Sequence, residues 1–207
     1  MPVTVVDHPL AGEQLARLRD ERTDRAAFRQ AMDSLSGMLI YEACRSLPVS
    51  EGTVQTPLGP SPSRGVVGWP VVVPILRAGL GMMSAVHRLL PDTDTAFIGV
   101  ARDETTFAPE PYMLKVPAEM AGRPTLVLDP MLATGGSLLH ACRLLAARGA
   151  GPITAVCVLA APEGLERIEA AALGIHVVTA AIDSHLNDNA FIVPGLGDAG
   201  DRLFGTA

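Results

Sequence analysis

Leu126-Val127-Leu128-Asp129-Pro130-Met131-Leu132-Ala133-Thr134-Gly135-Gly136-Ser137 is an apolar run that ends in an acid and then in small and hydroxyl residues. It leads directly into a helical pattern over 138–148. That order predicts a buried strand, a loop the size of a phosphate and a helix N-terminus. The first backbone N–H groups of a helix lack intrahelical partners and carry the positive end of the dipole, so an anion settles there. Gly135 and Gly136 let the backbone approach the anion closely, while Thr134 and Ser137 add hydroxyl donors. Asp129 would repel a phosphate, so its place at the strand end suits sugar hydroxyls or a metal held beside the phosphate. A phosphorylated sugar is the ligand this stretch describes. The P-loop pattern is absent because no Gly-Lys-Ser/Thr follows the glycines. The dinucleotide fingerprint is absent because the acid precedes the loop and the three-glycine spacing is missing.

Outward from this stretch the rhythm is regular. Strands are predicted over 71–76, 95–101, 125–129, 153–161 and 175–181, with helices over 80–90, 137–148 and 163–173. Alternating strands and helices give an α/β fold with a parallel β-sheet flanked by helices and right-handed crossovers. The strands are continuous apolar runs, as burial on both faces requires. Ligands of such sheets bind at the carboxyl ends of strands, which singles out Arg77, Arg102 and Asp129. Upstream, 24–47 reads as one long helix with Phe28, Met32, Leu35, Met38 and Leu39 on a stripe. Residues 48–70 are rich in Gly, Pro and Ser and read as turns and short strands.

Composition sets the outer limits. The chain has 207 residues, enough for one domain with a substantial core. It is 48% hydrophobic but only 4% aromatic, so Ala, Val, Leu and Ile build that core. Net charge is −6 with the basic residues scattered, which argues against general binding to nucleic acid or anionic membrane. Cys44, Cys142 and Cys157 lie far apart, with neither a CxxC nor a paired-histidine spacing, so reduced thiols in a cytoplasmic protein are expected. The first residues lack a basic region followed by an apolar one, and no run approaches the roughly 20 apolar residues of a membrane span.

Three further segments carry chemistry. Pro74-Ile75-Leu76-Arg77-Ala78-Gly79-Leu80-Gly81 is a second strand–loop–helix junction, with a cation leading the loop and glycines opening the helix. Arg77 and backbone amides there suit a diphosphate. Residues 102–117 are polar, contain Pro109 and Pro111, and interrupt the sheet rhythm, so a flap is expected with Arg102 at its base. Phe191-Ile192-Val193-Pro194-Gly195-Leu196-Gly197-Asp198-Ala199-Gly200-Asp201 sets small residues among acids and describes a site lined by backbone.

With these residues assembled, the chain resembles the uracil phosphoribosyltransferase family. The resemblance rests on His8-Pro9-Leu10, VVPILRAGLGMM (72–83), RDE followed by P-x-P-Y-x-x-K (102–115), LVLDPMLATGGS (126–137), LAAPEG (159–164) and IVPGLGDAGDRLFGT (192–206). It implies a single domain over 1–207 of the type I phosphoribosyltransferase fold, with a small hood from the N- and C-terminal segments and a β-hairpin flap. It implies a glycosyltransferase (pentosyltransferase) that moves phosphoribosyl from 5-phospho-α-D-ribose 1-diphosphate (PRPP) to uracil N1, giving UMP and diphosphate in pyrimidine salvage, with Mg²⁺ on the sugar substrate. The PRPP loop then comprises Asp129, Pro130, Met131, Leu132, Ala133, Thr134, Gly135, Gly136 and Ser137, with Asp129 at the ribose hydroxyls. Arg77 and Arg102 face the diphosphate. Ile192, Gly197, Asp198 and Ala199 match the uracil-binding stretch (about 191–201), and Asp198 also reaches PRPP; Asp129, Arg102 and Asp198 are the catalytic candidates. Homo-oligomers are usual in the family, and some members are activated by GTP. Many phosphoribosyltransferases carry two adjacent acids where this chain has Asp129-Pro130, and uracil enzymes share the Pro. One loop carboxylate leaves Mg²⁺ held mainly by PRPP oxygens and water, with no direct protein ligand required. The alternative in another class is a pyrimidine-responsive regulator on the same fold that binds RNA; a regulator of that kind should show a basic face.

Overall fold

The computed structural model describes residues 1–102, 109–117 and 120–206. The elements in chain order are β1 (Val3–Val5), α1 (Pro9–Arg19), α2 (Arg25–Ala43), β2 (Val49–Thr56), β3 (Gly59–Val66) and β4 (Val71–Leu76). A 3-10 turn (Ala78–Met82) leads into α3 (Met83–Leu89), β5 (Asp94–Thr95), β6 (Phe97–Arg102), β7 (Pro109–Lys115), β8 (Thr125–Leu128) and β9 (Met131–Leu132). The remainder is α4 (Gly136–Ala147), β10 (Ile153–Ala160), α5 (Pro162–Ala170), β11 (His176–Ile182), β12 (His185–Leu186), β13 (Ile192–Val193) and α6 (Ala199–Phe204).

The main sheet runs β1-β11-β10-β8-β4-β6-β7, with β5 paired to β4 and β9 to β10. Every pairing in it is parallel except β6 with β7. Successive strand residues point to opposite faces, and both faces are covered here. Val72, Leu126, Leu128, Val156, Val158 and Val178 pack with α1, α2, α3 and α6. Val71, Val73, Val127, Ala155, Cys157 and Val177 pack with α4 and α5. This explains why the strands read as unbroken apolar runs. Asp24 caps α2 by accepting from the Ala27 N–H at 2.9 Å, and Phe28, Met32, Leu35 and Leu39 are fully buried along its inner stripe.

Several boundaries differ from the sequence expectation. The helix expected over 24–47 stops at Ala43, and the one expected over 80–90 begins as a 3-10 turn, where Gly79 and Gly81 sit. Residues 48–70 hold two eight-residue strands rather than short ones, paired from Val49–Val66 to Thr56–Gly59. The flap strands β6 and β7 pair antiparallel, and the part of the expected flap at 103–108 lies outside the described residues. Among the described residues no helix is long and apolar enough to cross a membrane.

Candidate active site

Three parallel strands end at one edge. β4 ends at Leu76, β8 at Leu128 and β6 at Arg102, and the residues that follow β4 and β8 open on that carboxyl edge of the sheet. A cleft of about 410 Å³ lies there. Its walls take Leu76, Arg77 and Ala78 from the β4 loop and Asp129, Met131, Ala133 and Ser137 from the β8 loop. The C-terminal segment contributes Ile192, Gly197, Asp198, Ala199 and Gly200, and Tyr112 of β7 and Phe191 close the rim.

The β4 and β8 loops are forced together by small residues. A methyl group on Gly79 would lie 2.6 Å from the Leu128 carbonyl oxygen, so only glycine allows that approach. On the far side of the β8 loop, a methyl on Gly164 would lie 2.3 Å from the Ala133 carbonyl oxygen. The first turn of α5 therefore buttresses the loop from behind. Arg167, one turn further on, donates from Nη1 to the Thr134 carbonyl at 3.5 Å. Sequence reasoning quoted the 159–164 motif without giving it a role; a Pro followed two residues later by Gly at a helix start was the available signal.

Within the loop, Gly135 takes φ +74° and caps α4 with no side chain. The cap itself offers no side-chain acceptor, and the first amide of α4, that of Gly136, donates to the Thr134 hydroxyl at 3.4 Å. Asp129 accepts from the Met131 N–H at 3.4 Å through Oδ1, and its own N–H donates to Val156. Leu132 is 1% exposed and belongs to the core, so only its backbone can face a ligand. Burial pushes the Cys142 thiol up to about 12, with the nearby Asp129 carboxylate adding to the effect.

Arg77 reaches from the β4 loop toward α6, with Nη2 3.9 Å from Oδ1 of Asp201 and its side chain 57% exposed. Asp198 is the N-cap of α6 and accepts from the Asp201 N–H at 2.8 Å. Arg102 closes β6, and its backbone pairs with Pro109.

The C-terminal wall is held by residues that the sequence reading did not single out. Asp183, just past β11, is 8% exposed. Its Oδ1 and Oδ2 accept from Arg19 Nη2 and Nη1 at 2.5 and 2.8 Å, and Oδ2 also accepts from the Gly195 N–H at 2.8 Å. Arg19 Nη1 donates as well to the Gly195 carbonyl at 2.8 Å. The Asp183 carboxyl is held below its usual range: burial opposes ionisation, but the Arg19 and Gly195 donors outweigh it. Arg202 stacks 4.2 Å above the Phe28 ring and donates to the carbonyls of Leu196, Asp20 and Leu18.

A helix-flanked parallel sheet with a phosphate-sized loop and a cation loop at one carboxyl edge defines the type I phosphoribosyltransferases as a class. The adenine phosphoribosyltransferase of Trypanosoma brucei, solved with AMP, pyrophosphate and ribose-5-phosphate, shares the fold at a TM-score of 0.58 and 13% identity, over 86% of this chain and 81% of that one. The profile of the uracil phosphoribosyltransferase family matches residues 5–206, and the chain belongs to that family of pentosyltransferases. It is 51% identical to the uracil phosphoribosyltransferase of Corynebacterium efficiens, over 99% of this chain and 97% of that protein. A protein of solved structure from Aquifex aeolicus superposes with a TM-score of 0.93 at 34% identity, over 99% of both chains. These names support the transferase reading and lend nothing to the RNA-binding regulator.

Proposed function

We propose that the cleft at the ends of β4, β6 and β8 is where this uracil phosphoribosyltransferase joins the phosphoribosyl group of PRPP to N1 of uracil. The convergence of the Asp129 loop, the Arg77 loop and the 192–200 segment on one cavity carries this reading. In it the 5′-phosphate rests on the amides at the start of α4, and Asp129 accepts hydrogen bonds from the ribose hydroxyls. Arg77 faces the diphosphate, and the family resemblance assigns Arg102 to the same group. Breaking the anomeric C–O bond builds positive charge on the ribose and negative charge on the leaving group. Fixed cations favour that separation, and no covalent nucleophile is needed.

Asp129 and Asp198 bring hard carboxylate oxygens to the cleft, which suits Mg²⁺ completed by substrate and water oxygens. Bound there, Mg²⁺ would supply electrostatic stabilisation of the diphosphate. Uracil presents acceptor, donor and acceptor along one edge. Backbone N–H and C=O groups around Ile192, Gly197, Asp198 and Ala199 can match that edge without side chains, which suits the small residues found there.

The test is formation of the corresponding nucleoside monophosphate from Mg–PRPP with each pyrimidine and purine base. Uracil should be used and cytosine rejected by about 10⁴-fold, because cytosine turns one acceptor into a donor against a backbone N–H. Comparable turnover of the two bases would overturn the backbone readout. GTP activation and homo-oligomer assembly belong to the same reading, and GTP titration of this assay and sedimentation test them.

A further inference from the structure

Every polar backbone group of Gly195 is taken by one ion pair. Its N–H donates to Asp183 Oδ2 and its carbonyl accepts from Arg19 Nη1, both at 2.8 Å, while the two side chains grip each other through a fork. Gly195 sits at φ +62°, and a methyl there would lie 2.1 Å from the Ile192 carbonyl oxygen, so the turn has no room to relax. The next carbonyl, that of Leu196, is held by Arg202. The residue after that is Gly197, where the stretch that lines the cleft resumes. Arg19 and Asp183 do not line that cleft.

Resting on the backbone readout of uracil above, we propose that Arg19 and Asp183 are positioning residues for base selection. Their ion pair fixes the Gly195 peptide planes and so aims the N–H and C=O groups of 197–199 at the pyrimidine edge before any ligand arrives. A backbone recognition element has no side chain to adjust, so its selectivity depends wholly on how rigidly the loop is held. The geometry matches that need. The carboxylate is almost fully buried, its donors come from α1 and from the loop itself, and the fork geometry resists rotation. The phosphate loop, 129–137, is braced from its other side by the first turn of α5.

The experiment compares wild type, Asp183→Asn and Arg19→Lys for KM of uracil, KM of PRPP, and the ratio of kcat/KM for uracil to that for cytosine. The Lys variant keeps the cation and loses the fork, so it reports even where the Asn variant folds poorly. Both should raise the KM of uracil by about tenfold or more, the scale of one lost charge-assisted hydrogen bond. The uracil-to-cytosine ratio should fall with it, and the KM of PRPP, which Asp198 shares through the same segment, should rise clearly less than that of uracil. In the ligand-free wild type the Gly195 amide should exchange its hydrogen as slowly as amides of β10. Equal rises in both KM values, an unchanged base ratio in a folded variant, or rapid Gly195 exchange in wild type overturns the proposal. A wild type that fails to prefer uracil at all overturns the backbone readout itself, and this proposal with it.

Discussion

Asp129 stands where the chain leaves the sheet, and Met131, Ala133 and Ser137 of the loop that follows line the same cleft. A carboxylate there that binds two hydroxyls of a sugar acts through charge-assisted hydrogen bonds, whereas the isosteric amide offers only neutral ones. Asp129→Asn should leave the fold intact and reduce kcat/KM for PRPP by about 2–3 kcal/mol in transition-state terms. Unchanged steady-state kinetics with PRPP would remove Asp129 from the site. Asp129, Arg77 and Gly197 were legible in the sequence because each lies in a local strand–loop–helix order whose chemistry a few neighbours announce. Arg19, Asp183 and Arg202 were not. Arg19 and Asp183 are 164 positions apart, and Arg202 reaches Leu18 across 184. A lone Arg at a helix end and a lone Asp after a strand carry no periodic signal that they will meet.

Among the elements, β4, β8, β10 and β11 were readable because burial on both faces leaves them mostly apolar along their length. The β2–β3 hairpin escaped that logic: its residues are mostly exposed, and backbone pairing rather than an apolar face defines it. β7, with Pro109 and Pro111, sits at the sheet edge, where the missing N–H groups are tolerated. α1 was missed because only Ala11, Leu15 and Leu18 face the core over its eleven residues. The element whose role emerged only from packing is α5. Gly164→Ala forces its new methyl against the Ala133 and Leu132 carbonyl oxygens, and neither backbone can yield without moving the phosphate loop. The variant should lose about 1–3 kcal/mol of stability and raise the KM of PRPP more than that of uracil. Thermal unfolding and a two-substrate kinetic matrix check both halves. A variant with wild-type melting and an unchanged KM for PRPP would show that α5 merely touches the loop.

At the scale of the whole molecule, the sheet separates two apolar layers, and Cys142 and Cys157 lie in the one beneath α4 and α5. Burial raises Cys44 to about 11 and Cys142 to about 12, and pushes Cys157 well above the ordinary thiol value. At pH 7.5 all three are therefore protonated, and the thiolate that would react is scarce. Native protein should react slowly with a disulfide reagent, half-buried Cys44 first, and all three thiols should react promptly in denaturant. Rapid modification of Cys157 in native protein would show that this layer opens. The two ends of the cleft also differ in when they can exist. The phosphate loop is one unbroken stretch, and the elements that brace it, β10 and the first turn of α5, follow α4 directly in the chain. The base end needs Arg19 of α1 to find Asp183 and then Gly195, both of which follow the loop and its supports in the chain. On the proposed reading, a nascent chain thus gains its sugar-phosphate loop before it gains the means to choose a base.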